Sequence, residues 1–391
     1  MKNQVLFDQV NQEEVVTLLQ EMIRFNTVNS PGDEKPLAEY MEKQMKSFDM
    51  ETEIHDLTKT RANVIGKIKG SGQRKALLFN GHLDTVPPGD VEWKYGPFSG
   101  EIAEGKIYGR GSADMKGGLA AMMIAAKIVK NAGLELEGDL IIAGTAGEET
   151  DSIGAIDYLE KGGLEGVGAI VIGEPSSCGI NIAEKGAFWI EITTYGKTAH
   201  GAFPEQGVNA VKQMHTFLSE LFNYQYDYEE NDLLGHPSMN VSTINGGVKT
   251  NVVPDKCSIT VDMRTVPGMD HDEIIKDIEK IIGKLKEKDD TFDADIAIQN
   301  NRPAVETDKN HPFVQLSQEV IKENFNKAVE PQGVNFYTDA AVFLPPTNLP
   351  AIFYGPGDAN MAHQPNEHIT IESLMEATKF YVAMIKKYLV E

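Results

Sequence analysis

The sequence predicts an α/β chain interrupted by a smaller α+β unit, and three observations carry that prediction. First, nearly unbroken apolar runs alternate with helical stretches in the first half: "KALLFNGH" (Lys75–His82), "DLIIAGTAG" (Asp139–Gly147) and "GAIVIGEP" (Gly168–Pro175). Runs of this kind fit strands of a mostly parallel sheet buried on both faces. Second, after about Gly179 the pattern changes to alternation, as in "FWIEITTYG" (Phe188–Gly196), the mark of a half-exposed antiparallel strand. Third, α/β character returns after Asn301. A chain of 391 residues exceeds one ordinary core. The expected division is therefore residues 1–180 with 302–391 as one discontinuous domain, and 181–301 as the insert.

Taken in order, "NQEEVVTLLQEMIRF" opens the chain with a helix. Val15, Leu18, Leu19 and Ile23 share one face, and Asn11 with Glu14 forms an N-terminal cap. A second helix is expected around Leu37–Phe48, then β-rich runs at Asn63–Gly70 and Lys75–His82. The Ala- and Met-rich stretch Lys116–Asn131 is helical, as is the stretch near Ile153–Lys161. The insert contains helices at Val208–Phe222 and Asp270–Lys288, with strands near Met239–Gly246, Cys257–Arg264 and "FDADIAIQ". A helix at His311–Phe325, the strand "LPAIFYGPG" and a helix at Ile371–Leu389 complete the chain.

Bulk properties exclude several classes. A net charge of −23 argues against nucleic acid or an anionic membrane surface as partner. No apolar run approaches a membrane span, and the N-terminus has no secretory h-region. Two cysteines, Cys178 and Cys257, make no disulfide framework, so a cytoplasmic compartment is expected.

The chemistry gathers at strand ends. His82 closes one apolar run, with Asp84 two residues on, where it could accept the free ring N–H of the histidine. Glu148 and Glu149 close a second run, and Glu174 a third. Asp114 lies in "GRGSADMKGG", a glycine-bracketed loop that matches neither phosphate-binding pattern. His363 follows the turn after the last apolar strand, whereas His368 lies beyond it and reads as a surface histidine. Singly, each has an ordinary explanation: a turn-forming Asp84, an N-cap Asp114, acids at a helix start. Ligands collect at the carboxyl ends of parallel strands, so their convergence at one sheet edge points to a metal site. Two imidazoles with several carboxylates and no thiolate suit Zn²⁺, Mn²⁺ or Co²⁺, and two ions better than one.

Together "GHLDTVPPGD", "GRGSADMKGG", "GTAGEET", "VIGEPS" and "AHQPNEH" resemble the di-zinc deacylase and carboxypeptidase superfamily. That group holds acetylornithine deacetylase, succinyl-diaminopimelate desuccinylase, aminoacylase and glutamate carboxypeptidase, and the likeness spans nearly the whole chain. The resemblance implies a zinc-peptidase-like catalytic domain and an inserted ferredoxin-like lid and dimerisation domain, hence a homodimer. It implies one zinc on His82, Asp114 and Glu174 and a second on Asp114, Glu149 and His363, with Asp114 as the bridge. It further implies Glu148 as general acid/base, Asp84 as orienting partner of His82, and a cis peptide between Asp114 and Met115. "GKTAHGAFPEQGVNA" matches the insert's signature and implies His200 as an oxyanion-stabilising histidine acting on the partner subunit's site. "KTNVVPD" and "VDMRTVPG" suggest Asn251 and Arg264 as substrate contacts; a salt bridge at a strand end is the competing reading of Arg264.

The expected reaction is amide hydrolysis. A water held between the ions loses a proton to Glu148 and attacks the carbonyl, and Glu148 returns the proton to the departing amine. Glutamate at position 174 matches the deacylases of the group, which favours an N-acyl amino acid over a dipeptide as substrate. "NFYTDAAVF" has Ala340 and Ala341 where desuccinylases carry an arginine, and looks more like the glutamate carboxypeptidases. The acyl group therefore stays open, with a dipeptidase or carboxypeptidase as the second reading and a metal-free binding protein as the third.

Overall fold

The computed structural model describes residues 3–391 and divides into two compact units. The first comprises the chain up to Ile182 with Thr307–Gln332 and Thr338–Glu391; the second comprises Ala183–Glu306 with Gly333–Tyr337.

The central sheet of the first unit runs in the order Glu51–Asp56, Ala62–Ile68, Leu140–Thr145, Ala76–His82, Val167–Ile172, Ala351–Phe353. Its centre is parallel: Ala76–His82 pairs in parallel with both Leu140–Thr145 and Val167–Ile172, and Ala351–Phe353 with Val167–Ile172. These are the continuous apolar runs, and all seven residues of Ala76–His82 are buried. The two strands at the Glu51 side are antiparallel: Ala62–Ile68 matches the β-rich run expected at Asn63–Gly70, and Glu51–Asp56 is an addition.

Helix ends follow local chemistry. The first long helix is Gln12–Arg24, and its Asn11 side chain accepts the Glu13 and Glu14 amides. Helix Gly117–Asn131 buries nearly every residue, which its Ala- and Met-rich composition permits, and packs against Ile371–Leu389. It starts one residue later than its pattern predicts. The preceding Ser112–Lys116 is an irregular turn in which Asp114 has extended dihedrals (φ −122°, ψ 93°). The short helix Ala340–Thr347 is a further addition, unsignalled because it contains Pro345 and Pro346.

The second unit has the strand–helix–strand–strand–helix–strand order of a ferredoxin-like fold. Its antiparallel sheet runs Ser238–Gly246, Lys256–Thr265, Gly186–Tyr195, Asp293–Arg302. Alternation dictates its core: Cys257, Ile259, Val261 and Met263 point inward from one strand. They join Met214 and Phe217 of helix Ala210–Leu221 and Ile274 and Ile278 of helix His271–Lys288. Among the described residues no helix is long and apolar enough to cross a membrane. Both cysteines are buried free thiols.

Candidate metal centre

Strand register decides where the chemistry lies. His82 stands opposite Thr145 at the ends of neighbouring parallel strands, and Asn80 stands opposite Ile172. Residues just beyond these ends, Glu148, Glu149 and Glu174, therefore emerge on one edge of the sheet.

The Asp114 carboxylate lies between two imidazoles. Its Oδ1 is 2.9 Å from His82 Nε2, and its Oδ2 is 3.3 Å from His363 Nε2. His82 Nε2 is also 3.7 Å from Glu174 Oε1, and His363 Nε2 is 3.1 Å from Glu149 Oε2. Donor atoms of His82, Asp114 and Glu149 all lie within 4.8 Å of one another, so a candidate metal site exists. His82, Glu148 and Glu174 are buried, while His363 forms a half-exposed rim. Asp114 does not cap the following helix, and the Asp114–Met115 peptide is cis.

The electrostatics fit a cation. Burial pushes the Glu148 carboxyl well above the usual range, opposed by the His82 charge and reinforced by Glu149, Glu174 and Asp339. Burial, with Asp114 nearby, raises Glu174 likewise. Burial opposes a proton on His82, but its hydrogen bonds to Asp114 and Asp84 outweigh that and raise its pKa well above 6.5. Hydrogen bonds to Asp114 and Glu149 lift His363 to about 10. A cluster that draws protons onto its own imidazoles and carboxyls is short of positive charge. Divalent cations supply that charge, and the mixed nitrogen and oxygen donor set suits Zn²⁺, Mn²⁺ or Co²⁺.

Asp84 departs from the simple expectation. His82 Nδ1 is 3.0 Å from the main-chain carbonyl oxygen of Asp84 and 3.6 Å from its carboxylate. The carboxylate is taken up by the turn carrying the two glutamates: Oδ1 accepts the Gly147 and Glu148 amides, and Oδ2 accepts the Glu149 amide and Asn29 Nδ2. One residue thus orients the imidazole through its backbone and the acidic turn through its side chain.

Two neighbours escaped the sequence reading. Glu367 is fully buried; its Oε1 accepts the Ala113 and Asp114 amides, and its Oε2 pairs with Arg110 Nη1. It fixes the loop bearing Asp114. It lies in the same "AHQPNEH" block as His363, which is the signal that could have found it. Asp339, buried within "NFYTDAAVF", accepts Thr145 Oγ1 at the end of the neighbouring strand. His368 stacks on Tyr108, in keeping with a non-ligand.

The remaining expected residues lie in the second unit. His200 is exposed, and its Nδ1 accepts the Ala202 amide at 3.0 Å, which leaves the neutral ring's proton on Nε2. Asn251 sits on the adjoining backbone, its carbonyl accepting the Gly201 amide. Arg264 grips Asp262 with two nitrogens, Nε at 2.9 Å and Nη2 at 3.2 Å, and lies over the Trp189 ring. The salt-bridge reading of Arg264 describes this geometry.

An α/β sheet with imidazoles and carboxylates gathered at its carboxyl edge, joined to a ferredoxin-like unit, defines a metallohydrolase of the peptidase and deacylase type. The chain belongs to peptidase family M20/M25/M40, whose model matches residues 78–387. It is 30% identical over 409 aligned positions to a probable succinyl-diaminopimelate desuccinylase of Staphylococcus epidermidis, covering 97% of this chain and 99% of that one. Its fold is similar to that of an M20 family metallo-carboxypeptidase from Sulfolobus solfataricus, with a TM-score of 0.80, 22% identity, and 96% and 99% of the two chains covered. It is also similar in fold to a dinuclear metal binding peptidase of the M20 family from Bacillus subtilis, at TM-score 0.73 and 16% identity, with 96% and 97% covered.

Proposed function

We propose that this protein is a cytoplasmic metal-dependent amidohydrolase that removes the acyl group of an N-acyl amino acid. His82, Asp114 and Glu174 would hold one divalent ion, and Asp114, Glu149 and His363 a second, zinc being the first choice. The observation that carries the reading is Asp114, whose two carboxylate oxygens lie 2.9 and 3.3 Å from the ring nitrogens of His82 and His363, so that it could be shared between ions held on either side. Bound there, the ions would supply Lewis acidity and lower the pKa of a water.

The chain's own residues do the rest. Glu148 takes the proton of the attacking water and delivers it to the departing amine nitrogen. Asp84 keeps the Glu148 turn and the His82 ring in register. His200 would donate its Nε2 proton to the oxyanion developing in the partner subunit's site, and Asn251 would contact the substrate. Arg264 would serve a substrate carboxylate by exchanging Asp262 for it.

Glutamate at position 174 and the kinship with a probable desuccinylase support an N-acyl substrate. Ala340 and Ala341 are buried and offer no cation for a succinyl carboxylate, which argues for a smaller acyl group. A dipeptidase or carboxypeptidase on the same residues is the second reading, favoured by that same Ala340–Ala341 stretch. A panel of N-acetyl, N-formyl and N-succinyl amino acids, run beside dipeptides with Zn²⁺ or Co²⁺ present, separates the two. Hydrolysis of N-acyl amino acids, lost on chelation and regained with metal, is expected; cleavage of dipeptides alone would replace the deacylase by a peptidase. Failure to bind metal, with no turnover of any substrate, would leave a binding protein.

We also propose a homodimer through the second unit. Strand Ser238–Gly246 is a sheet edge with exposed Ile244 (58%), and Val248 just beyond it is 85% exposed. Such an edge invites pairing. Light scattering is expected to give a dimer for the wild type and a monomer for Ile244→Lys/Val248→Lys; a wild-type monomer would end this proposal.

A further inference from the structure

The turn that presents Glu148 and Glu149 is held from two sides. On one side stands Asp84, already described. On the other stands Arg61, whose side chain is only 9% exposed. Its Nε donates to Glu34 Oε1 at 3.2 Å, while Nη1 and Nη2 donate to Asp151 Oδ2 and Oδ1 at 2.9 and 3.2 Å. Asp151 Oδ1 also accepts the Ile153 amide at 3.2 Å, at the start of the helix that follows.

The fit leaves no slack. A Cβ on Gly147 would lie 2.1 Å from Arg61 Nη2 and 2.5 Å from Asp151 Oδ1; one on Gly32 would lie 2.9 Å from Arg61 Nε. The Gly147 carbonyl oxygen accepts both the Thr150 and Ser152 amides, so the guanidinium packs against the closed loop itself. Glu34, at the other end, is fully buried at the start of helix Lys35–Ser47. Burying the Arg61–Glu34 pair is costly, and apolar side chains of similar volume often stabilise a fold as well. Its place, directly behind the two glutamates, gives it a use.

We propose that Arg61, bridging Glu34 and Asp151, is a positioning residue that sets the turn Gly147–Ser152, and through it the places of Glu148 and Glu149. The consequence for turnover rests on the hydrolase reading above; the consequence for the turn does not.

Three variants test it. Arg61→Lys keeps the charge but loses the fork. Asp151→Asn alters a half-exposed side chain and keeps an oxygen for the Ile153 amide, so it folds even where the first does not. Arg61→Met/Glu34→Gln/Asp151→Asn removes the triad without stranding a charge. In metal-free protein, hydrogen exchange of the Gly147–Glu149 amides is expected to rise ~10-fold or more in Arg61→Lys and in the triple variant, and by a few-fold in Asp151→Asn, with exchange elsewhere unchanged. Affinity for the ion served by Glu149 should fall ~10–100-fold, the scale set by lost outer hydrogen-bond partners, while the ion served by Glu174 is unaffected. Turnover should drop by up to ~10²-fold through kcat, with KM little changed. Wild-type exchange at these amides in all folded variants, with wild-type kcat and metal affinity, would overturn the proposal. A wild type that binds no second ion would defeat the two-metal reading, and the exchange comparison would still decide whether Arg61 holds the turn.

Discussion

Replacing Glu148 by glutamine is expected to lower kcat by ~10²–10⁴-fold, the range that general acid–base catalysis supplies, while both ions stay bound. Glutamine has nearly the same shape, so the buried space stays filled, and the Glu148 amide keeps its hydrogen bond to Asp84. What is lost is the ability to accept a proton from the attacking water. Since Glu149, not Glu148, faces His363, metal content should be unchanged. Steady-state kinetics with metal analysis on the same preparation checks both halves. Full turnover in this variant would refute the assignment of Glu148 outright. Loss of an ion along with activity would make it a ligand instead.

Asp114→Asn should have the second large effect, and on a different quantity. Its two oxygens face His82 and His363 separately, so one substitution removes the charge that the two proposed ion sites would share. Both affinities are expected to fall by more than ~10²-fold, beyond the cost of losing only an outer hydrogen-bond partner. Glu174→Gln, by contrast, should weaken one ion and spare the other. Calorimetric titration of the metal-free protein distinguishes the patterns, and the rise in Tm on adding metal should shrink in step. An Asp114→Asn protein that still binds one ion with wild-type affinity would deny Asp114 its bridging role.

Much of the site was legible because its residues are punctuated locally. An apolar run that stops at His82, at Glu148 or at Glu174 marks a buried strand and the polar group at its end, whatever lies beside it. Parallel order then follows from the helices between the strands. The role of Asp84 was legible only in part. Its spacing from His82 suggested an imidazole partner, but the carboxylate goes to amides more than sixty residues away, which depends on how two strands register. Arg264 shows the reverse case, since Asp262 lies two positions earlier on the same strand and thus on the same face. Period-two spacing alone could have assigned that pair.

By itself, then, the sequence determined most of the elements, the chemical kinds of the candidate donors and the sheet edge on which they emerge, because strand and helix patterns are short-range and a run of side chains records them. Only the tertiary structure decided which oxygen of Asp114 meets which imidazole, that Glu367 accepts the Asp114 amide, and that Arg61 pairs with Asp151 beside the acidic turn. Those pairs join positions 32, 249, 253 and 90 residues apart in the chain. No local pattern encodes such distances; packing of the whole core brings the partners within hydrogen-bond reach.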